Sequence, residues 1–218
     1  MSATQETLVK IPSGQVRMEG MLELPQHPAA IVLFAHGSGS SRKSPRNNYV
    51  ARVLRDAGMG TLLLDLLTLQ EDEIYRTRFN IALLTERLQT AAMWLRQQPE
   101  TRALALGVFG ASTGAAAALQ LAALPDAGVQ AVVSRGGRPD LAGIQLLAQV
   151  SAPTLLIVGG WDDVVLELNR AALDALQCQK QLVVIPGATH LFEEPGKLEA
   201  AAELARDWFL RHLTTQTE

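Results

Sequence analysis

The segment that most restricts how this chain can fold runs from Leu104 to Ala118. Leu104 to Phe109 is apolar and has the character of a buried strand. It passes into the run Ala115 to Ala118 through Gly110-Ala111-Ser112-Thr113-Gly114. A strand that turns at once into a helix forces the turning residue into a strained conformation. Only very small residues are tolerated two positions to either side, because larger ones would collide across the turn. Gly110 and Gly114 occupy those two positions. Ser112 is then held at the top of a sheet, hydroxyl outward, over a helix N-terminus. The alanines let that helix lie close on the sheet. Taken alone, the segment also fits an ordinary Gly-rich turn with a capping Ser, so its surroundings must decide.

Read in order, residues 6–24 predict two edge strands joined at Pro12-Ser13-Gly14-Gln15. Ala29 to Ala35 is a continuous apolar run, as expected of a strand buried on both faces. It ends in the small-residue loop His36-Gly37-Ser38-Gly39-Ser40-Ser41, whose unobstructed N–H groups could face a developing negative charge. A helix is expected over 45–57, stopping at Gly58, and a strand over 60–67. Asp65 near the end of that strand reads as structural. Residues 68–77 are polar and mixed in charge, which predicts a surface loop. A long amphipathic helix follows over 78–98. After the Ser112 elbow, strands are expected over 129–133, 153–158 and 181–185. Helices are expected over 141–149, 165–177 and 195–213. Alternating strands and helices predict one α/β domain spanning 1–218, its mostly parallel sheet covered on both faces. In such sheets ligands sit beyond the carboxyl ends of the strands. His36, Ser112, Arg135, Asp162 and His190 all fall there.

Composition narrows the function classes. Of 218 residues, 48% are hydrophobic and 19% charged, enough for a large core. The net charge of −3 offers no electrostatic case for nucleic acid or an anionic membrane as partner. One cysteine, Cys178, excludes an intramolecular disulfide, and its place near a helix end marks it as inert. The N-terminus has neither the basic nor the apolar region of a signal peptide, and no apolar run reaches membrane-spanning length, so the expected compartment is the cytoplasm. The scattered histidines lack metal-ligand spacing, so no metal and no cofactor are expected. A homodimer is compatible with the sequence, which does not fix the oligomeric state.

A serine hydroxyl is a weak nucleophile near neutral pH. It needs a base, and the base needs an acid to fix its tautomer and stabilise its charge. Ser112, Asp162 and His190, in that order after successive strands, supply the three roles. His27 and His212 read as surface residues. His36 lies near the site and is taken chiefly as a structural residue bonding loop backbone, with a place among the substrate-binding candidates. Asp162 is preferred to Asp163, which would cap the following helix. The oxyanion would be held by the N–H groups of Thr113 and Ser38.

The set His36-Gly37-Ser38-Gly39, Gly110-Ala111-Ser112-Thr113-Gly114, Gly159-Gly160-Trp161-Asp162 and Gly187-Ala188-Thr189-His190-Leu191-Phe192 resembles the dienelactone hydrolase group of α/β-hydrolases over nearly the whole chain. The resemblance implies an α/β-hydrolase fold and hydrolysis of small esters or lactones. Such enzymes typically carry Cys at the nucleophile position. Ser112 departs from that pattern and is closer to a general carboxylesterase. Members that take acidic lactones hold the substrate carboxylate with arginines. Arg135 and Arg138 stand where they could do so, or could instead pair with Asp140, Asp162 or Asp163. Arg42, Arg46, Arg76 and Arg78 read as solvated. The connection over 134–153 is too short for a large helical cap, which implies a small, open site unsuited to long-chain lipids. The same residues also admit a non-catalytic α/β-hydrolase that binds a small carboxylate, or a thioesterase or peptidase built on the same triad.

Overall fold

The computed structural model describes residues 4–214; the first three residues of the N-terminal stretch read above lie outside them. Eight strands form one sheet in the order β1-β2-β4-β3-β5-β6-β7-β8. β1 (Gln5–Ser13) and β2 (Val16–Leu24) make an edge hairpin, and β2 pairs antiparallel with β4 (Met59–Leu64). β3 (Ala30–Ala35), β4, β5 (Ala105–Ala111), β6 (Val129–Arg135), β7 (Thr154–Gly159) and β8 (Lys180–Ile185) run parallel.

The continuous apolar strands follow from burial on both faces. In β3, Ile31, Leu33 and Ala35 pack into one core, and Ala30, Val32 and Phe34 into the other. The first core lies under α3 (Ile81–Gln97), α4 (Thr113–Ala123), α5 (Ile144–Leu147) and α6 (Asp163–Ala175). The second lies under α1 (Pro45–Asp56) and α7 (Lys197–Leu213). Ala115 to Ala118 are fully buried, so α4 rests on the sheet without intervening side-chain bulk. At about 25 cal/mol per Å2 of apolar surface removed from water, these two layers supply the main drive to fold.

Three departures from the sequence reading have local causes. Residues 68–77 are not an open loop. They contain the short helix α2 (Leu69–Glu73) and a 3-10 turn over Tyr75–Phe79. The Thr68 side chain accepts from the Glu71 N–H, while the Glu71 carboxylate accepts from the Thr68 N–H at 2.8 Å, which starts a helix in a segment without an apolar face. α3 starts at Ile81 rather than residue 78, because the Asn80 side chain caps it by accepting from Leu83 N–H at 3.2 Å. The helix expected over 141–149 is divided: a 3-10 turn covers Pro139–Ala142, and α5 begins after Gly143. Gly143 has φ +88°, which no helix accommodates. The link between β6 and β7 holds only these short pieces and no cap domain.

Candidate active site

The elbow is built as strain requires. Ser112 has φ 51°, in the region L-residues avoid, and sits between β5 and α4. The two flanking glycines meet different obstacles. A Cβ on Gly110 would lie 2.4 Å from Ala115 Cα in the helix that follows. A Cβ on Gly114 would lie 2.3 Å from the Ala35 carbonyl oxygen. Gly114 is therefore demanded by the close approach of α4 to the end of β3, a contact across the sheet.

Three loops at the carboxyl ends of β5, β7 and β8 converge. His190 Nδ1 lies 2.6 Å from Asp162 Oδ2, and His190 Nε2 lies 3.3 Å from Ser112 Oγ. A carboxylate can only accept, so Nδ1 carries the hydrogen and Nε2 is left as the acceptor facing the serine hydroxyl. Asp163 is the first residue of α6 and is not in this chain of contacts; the cap position belongs to Asp162, which makes no capping bond.

Thr113 opens α4, so its N–H has no acceptor within the helix. Ser38 differs from expectation. Its N–H donates to Thr113 Oγ1 at 2.8 Å and is not free. The Thr113 hydroxyl thus ties the loop after β3 onto the elbow.

His36 does not face the cleft as a binding group. It is buried, its Nδ1–H donating to the Gly37 carbonyl at 2.9 Å and its Nε2 accepting from Leu66 N–H at 3.0 Å. Both ring nitrogens are used within the fold, which leaves none to hold a substrate. Burial pushes its pKa down, against the upward pull of the Gly37 carbonyl, Asp65 and Asp72.

The two arginines at and beyond the end of β6 part company. Arg138 forms two parallel bonds to Asp140, at 2.8 and 2.7 Å, and is taken up by that pair. Arg135 is 6% exposed and has no acidic partner among the described residues. Its Nη2 reaches Asn47 Oδ1 at 3.4 Å, while Nε and Nη1 bond to nothing. Its position follows from strand alternation: Ala131 and Val133 enter the core beneath α1 and α7, and Arg135 is next on that face. Arg42, Arg46 and Arg78, read as solvated, are ion-paired: Arg42 with Asp65 and Glu19, Arg46 with Glu193, and Arg78 with Asp72. Arg76 is exposed. His27 is exposed, whereas His212 is half-buried, stacked against Trp208 with ring centroids 4.5 Å apart. Cys178 packs against the first core.

The cleft over Ser112 has a volume of about 190 Å3. Asn47 and Arg46, from the first turn of α1, line it and were not foreseen as site residues. One signal was available for Asn47: the spacing 47, 50, 51, 54 places a polar residue on the buried stripe of an amphipathic helix. Among the described residues no group of three His, Cys, Asp or Glu is placed to hold a metal ion, and no helix is long and apolar enough to cross a membrane.

A mostly parallel eight-stranded sheet with a serine elbow after its central strand is the α/β-hydrolase fold. Within that class the chain belongs to the dienelactone hydrolase family, whose model matches residues 18–216. A crystal structure of dienelactone hydrolase from Anabaena variabilis is similar with a TM-score of 0.92 at 56% identity, over 96% of this chain and 99% of that one. A Mycobacterium tuberculosis protein named for phosphoribosyl transferase is 58% identical over 205 residues, covering 94% of this chain and 46% of that protein. The chain thus spans about half the length of the curated relatives it matches. Est1E from Butyrivibrio proteoclasticus, at 15% identity and a TM-score of 0.80 over 94% of this chain and 98% of its own, shares the fold.

Proposed function

We propose that the chain is a serine hydrolase that cleaves small carboxylic esters or lactones through an acyl-enzyme. The observation that carries this is the unbroken contact from Ser112 Oγ through the His190 ring to Asp162 at the rim of the sheet. Ser112 Oγ attacks the substrate carbonyl carbon while its proton passes to His190 Nε2. Asp162 holds the ring in the tautomer that can accept it and stabilises the cation that forms. The carbonyl oxygen becomes an oxyanion facing the Thr113 N–H. Ser38 N–H joins as a second donor once Thr113 Oγ1 releases it; one such donor is worth roughly a hundred- to a thousandfold in rate. Collapse expels the alcohol oxygen, protonated by His190. Water, deprotonated by the same imidazole, then attacks the acyl carbon and regenerates the Ser112 hydroxyl. In a lactone the freed alcohol stays tethered to the acyl group, and the second step releases a single hydroxy acid.

The small cleft and the missing cap favour short acyl groups. Trp161 and Leu191, both exposed beside the relay residues, offer an apolar rim for the remainder of the substrate. We assign no phosphoribosyl transfer to this chain. It spans less than half the length of the relatives that carry that name, and its cleft centres on the contact between Ser112 and His190.

The test is Ser112→Ala, assayed with p-nitrophenyl acetate, an enol lactone and a thioester, alongside labelling by a fluorophosphonate. Turnover should drop by roughly 10^4-fold or more and labelling should vanish. Undiminished turnover in this variant would end the assignment.

A further inference from the structure

We propose that Asn169 is a positioning residue for the relay of Ser112, His190 and Asp162. It locks the helix that begins at Asp162 to one peptide unit that grips the Ser112 backbone. The proposal deepens the hydrolase reading and rests on it.

Packing does not explain an asparagine at this place. Val165, Asn169 and Ala172 are the buried residues of α6, a single stripe at helical spacing, and Asn169 is its polar member. It is fully buried. Its Nδ2 donates twice, to the Val165 carbonyl at 2.8 Å and to the Gly137 carbonyl at 3.0 Å. Its Oδ1 receives no hydrogen among the described residues. Turning the amide over would set Oδ1 against two carbonyl oxygens, so the orientation is fixed by its partners. A buried acceptor without a donor costs stability, and a leucine of similar shape would not incur that cost. The Val165 bond stays within the helix. The Gly137 bond is, among the described residues, the one hydrogen bond that a side chain of α6 makes outside it.

The Gly137 carbonyl and the Arg138 N–H belong to one peptide unit, and that N–H donates to the Ser112 carbonyl at 3.1 Å. A trans peptide is planar and points its C=O and N–H in opposite directions. Asn169 and Ser112 are therefore fastened to the two edges of one rigid plate, and each bond polarises the other. The residues just before it complete the grip. The Arg135 carbonyl accepts from Ser112 N–H at 3.2 Å, and Gly136 N–H donates to the Ile157 carbonyl in β7 at 2.8 Å. Residues 135–138 thus touch both backbone polar groups of Ser112, whose φ of 51° must be held against relaxation. At the other end, Asp162 lies about two helical turns from Asn169, and its carbonyl accepts from Leu166 N–H at 2.9 Å. α6 is a strut between the acid and the plate that holds the nucleophile. The Asp162 carboxylate is 2.6 Å from His190 Nδ1, a contact that a slide of α6 by about an ångström would break. A misplacement of that size costs on the order of a hundredfold in rate.

The test uses Asn169→Leu and Asn169→Thr in the full chain, with p-nitrophenyl acetate as substrate and Ser112→Ala as control. Leucine removes both donated bonds. Threonine keeps a hydroxyl for the Val165 carbonyl and loses the reach to Gly137. Each variant should lower kcat by roughly ten- to hundredfold while KM changes by less than about threefold. The same Asn169→Leu change is then made in Asp162→Asn, where the ring is no longer held in the productive tautomer. There it should lower kcat by less than about threefold further, because residues that act as one unit are not additive. A residue that served the fold alone would cost the same factor in both backgrounds. Unchanged kcat in either single variant overturns the proposal, and so do equal losses in the two backgrounds. Should Asn169→Leu fail to fold, the same comparison made with Asn169→Thr decides. Full turnover in Ser112→Ala overturns the hydrolase reading and this proposal with it. Loss of turnover there beside unchanged kcat in Asn169→Leu removes this proposal alone.

Discussion

At the scale of single residues, the site depends on which oxygen each hydrogen faces. Asp162 and Asp163 are adjacent and chemically identical, yet only Asp162 reaches His190. Asp162→Asn should lower kcat for p-nitrophenyl acetate by roughly 10^3- to 10^4-fold, because an amide leaves the imidazole free to present the wrong nitrogen to Ser112. Asp163→Asn should change it by less than about threefold, the effect of an exposed helix-terminal charge. Equal losses in the two variants would place the relay elsewhere. Ser112 and His190 stood out in the sequence because each follows a strand within a Gly-containing turn, and that signal is local. The fates of Arg135 and Arg138 were not legible. They lie three residues apart at the end of the same strand, and the difference arises because Asp140 is within reach of Arg138 alone. The occupied Ser38 amide was also hidden, since its partner is a hydroxyl 75 positions away.

At the scale of elements, the approach of α4 to β3 is the contact with least slack. Gly114→Ala would drive a methyl group against two backbone carbonyl oxygens, those of Ala35 and His36, neither able to swing aside. The expected cost is about 3 kcal/mol, read from the urea midpoint at unchanged slope. A cost below about 1 kcal/mol would mean that the end of β3 relaxes easily. The elbow was readable because its glycines recur at fixed offsets in one short segment. α2 was missed because five residues are too few for periodicity to register. The pair Thr68 and Glu71, three apart, was the available cue.

For the whole molecule, acid stability has an identifiable weak point. His36 is buried in its neutral form, and its folded pKa lies below the ordinary value near 6.5. A base depressed in this way favours the unfolded state once protons become available. Its contribution is intact above about pH 6.5 and is lost progressively as the pH falls below that value toward the folded pKa. The slope is at most about 1.4 kcal/mol per pH unit. Urea midpoints measured from pH 7 to pH 5 should therefore fall. The fall should be shallower in His36→Gln, which can still accept from Leu66 N–H without titrating. Equal slopes would show that His36 is not the group responsible.

The order of strands and helices, the two-sided burial of the sheet and the assembly of chemistry at its carboxyl ends were all determined by the sequence alone. Those properties follow from hydrophobic runs and turn residues that act over a few positions. The tertiary structure alone decided which arginine is left without a partner and which amide is already engaged. Such pairings depend on side chains from distant segments meeting within about an ångström, a precision that appears only when the strands are set in register and the helices packed against them.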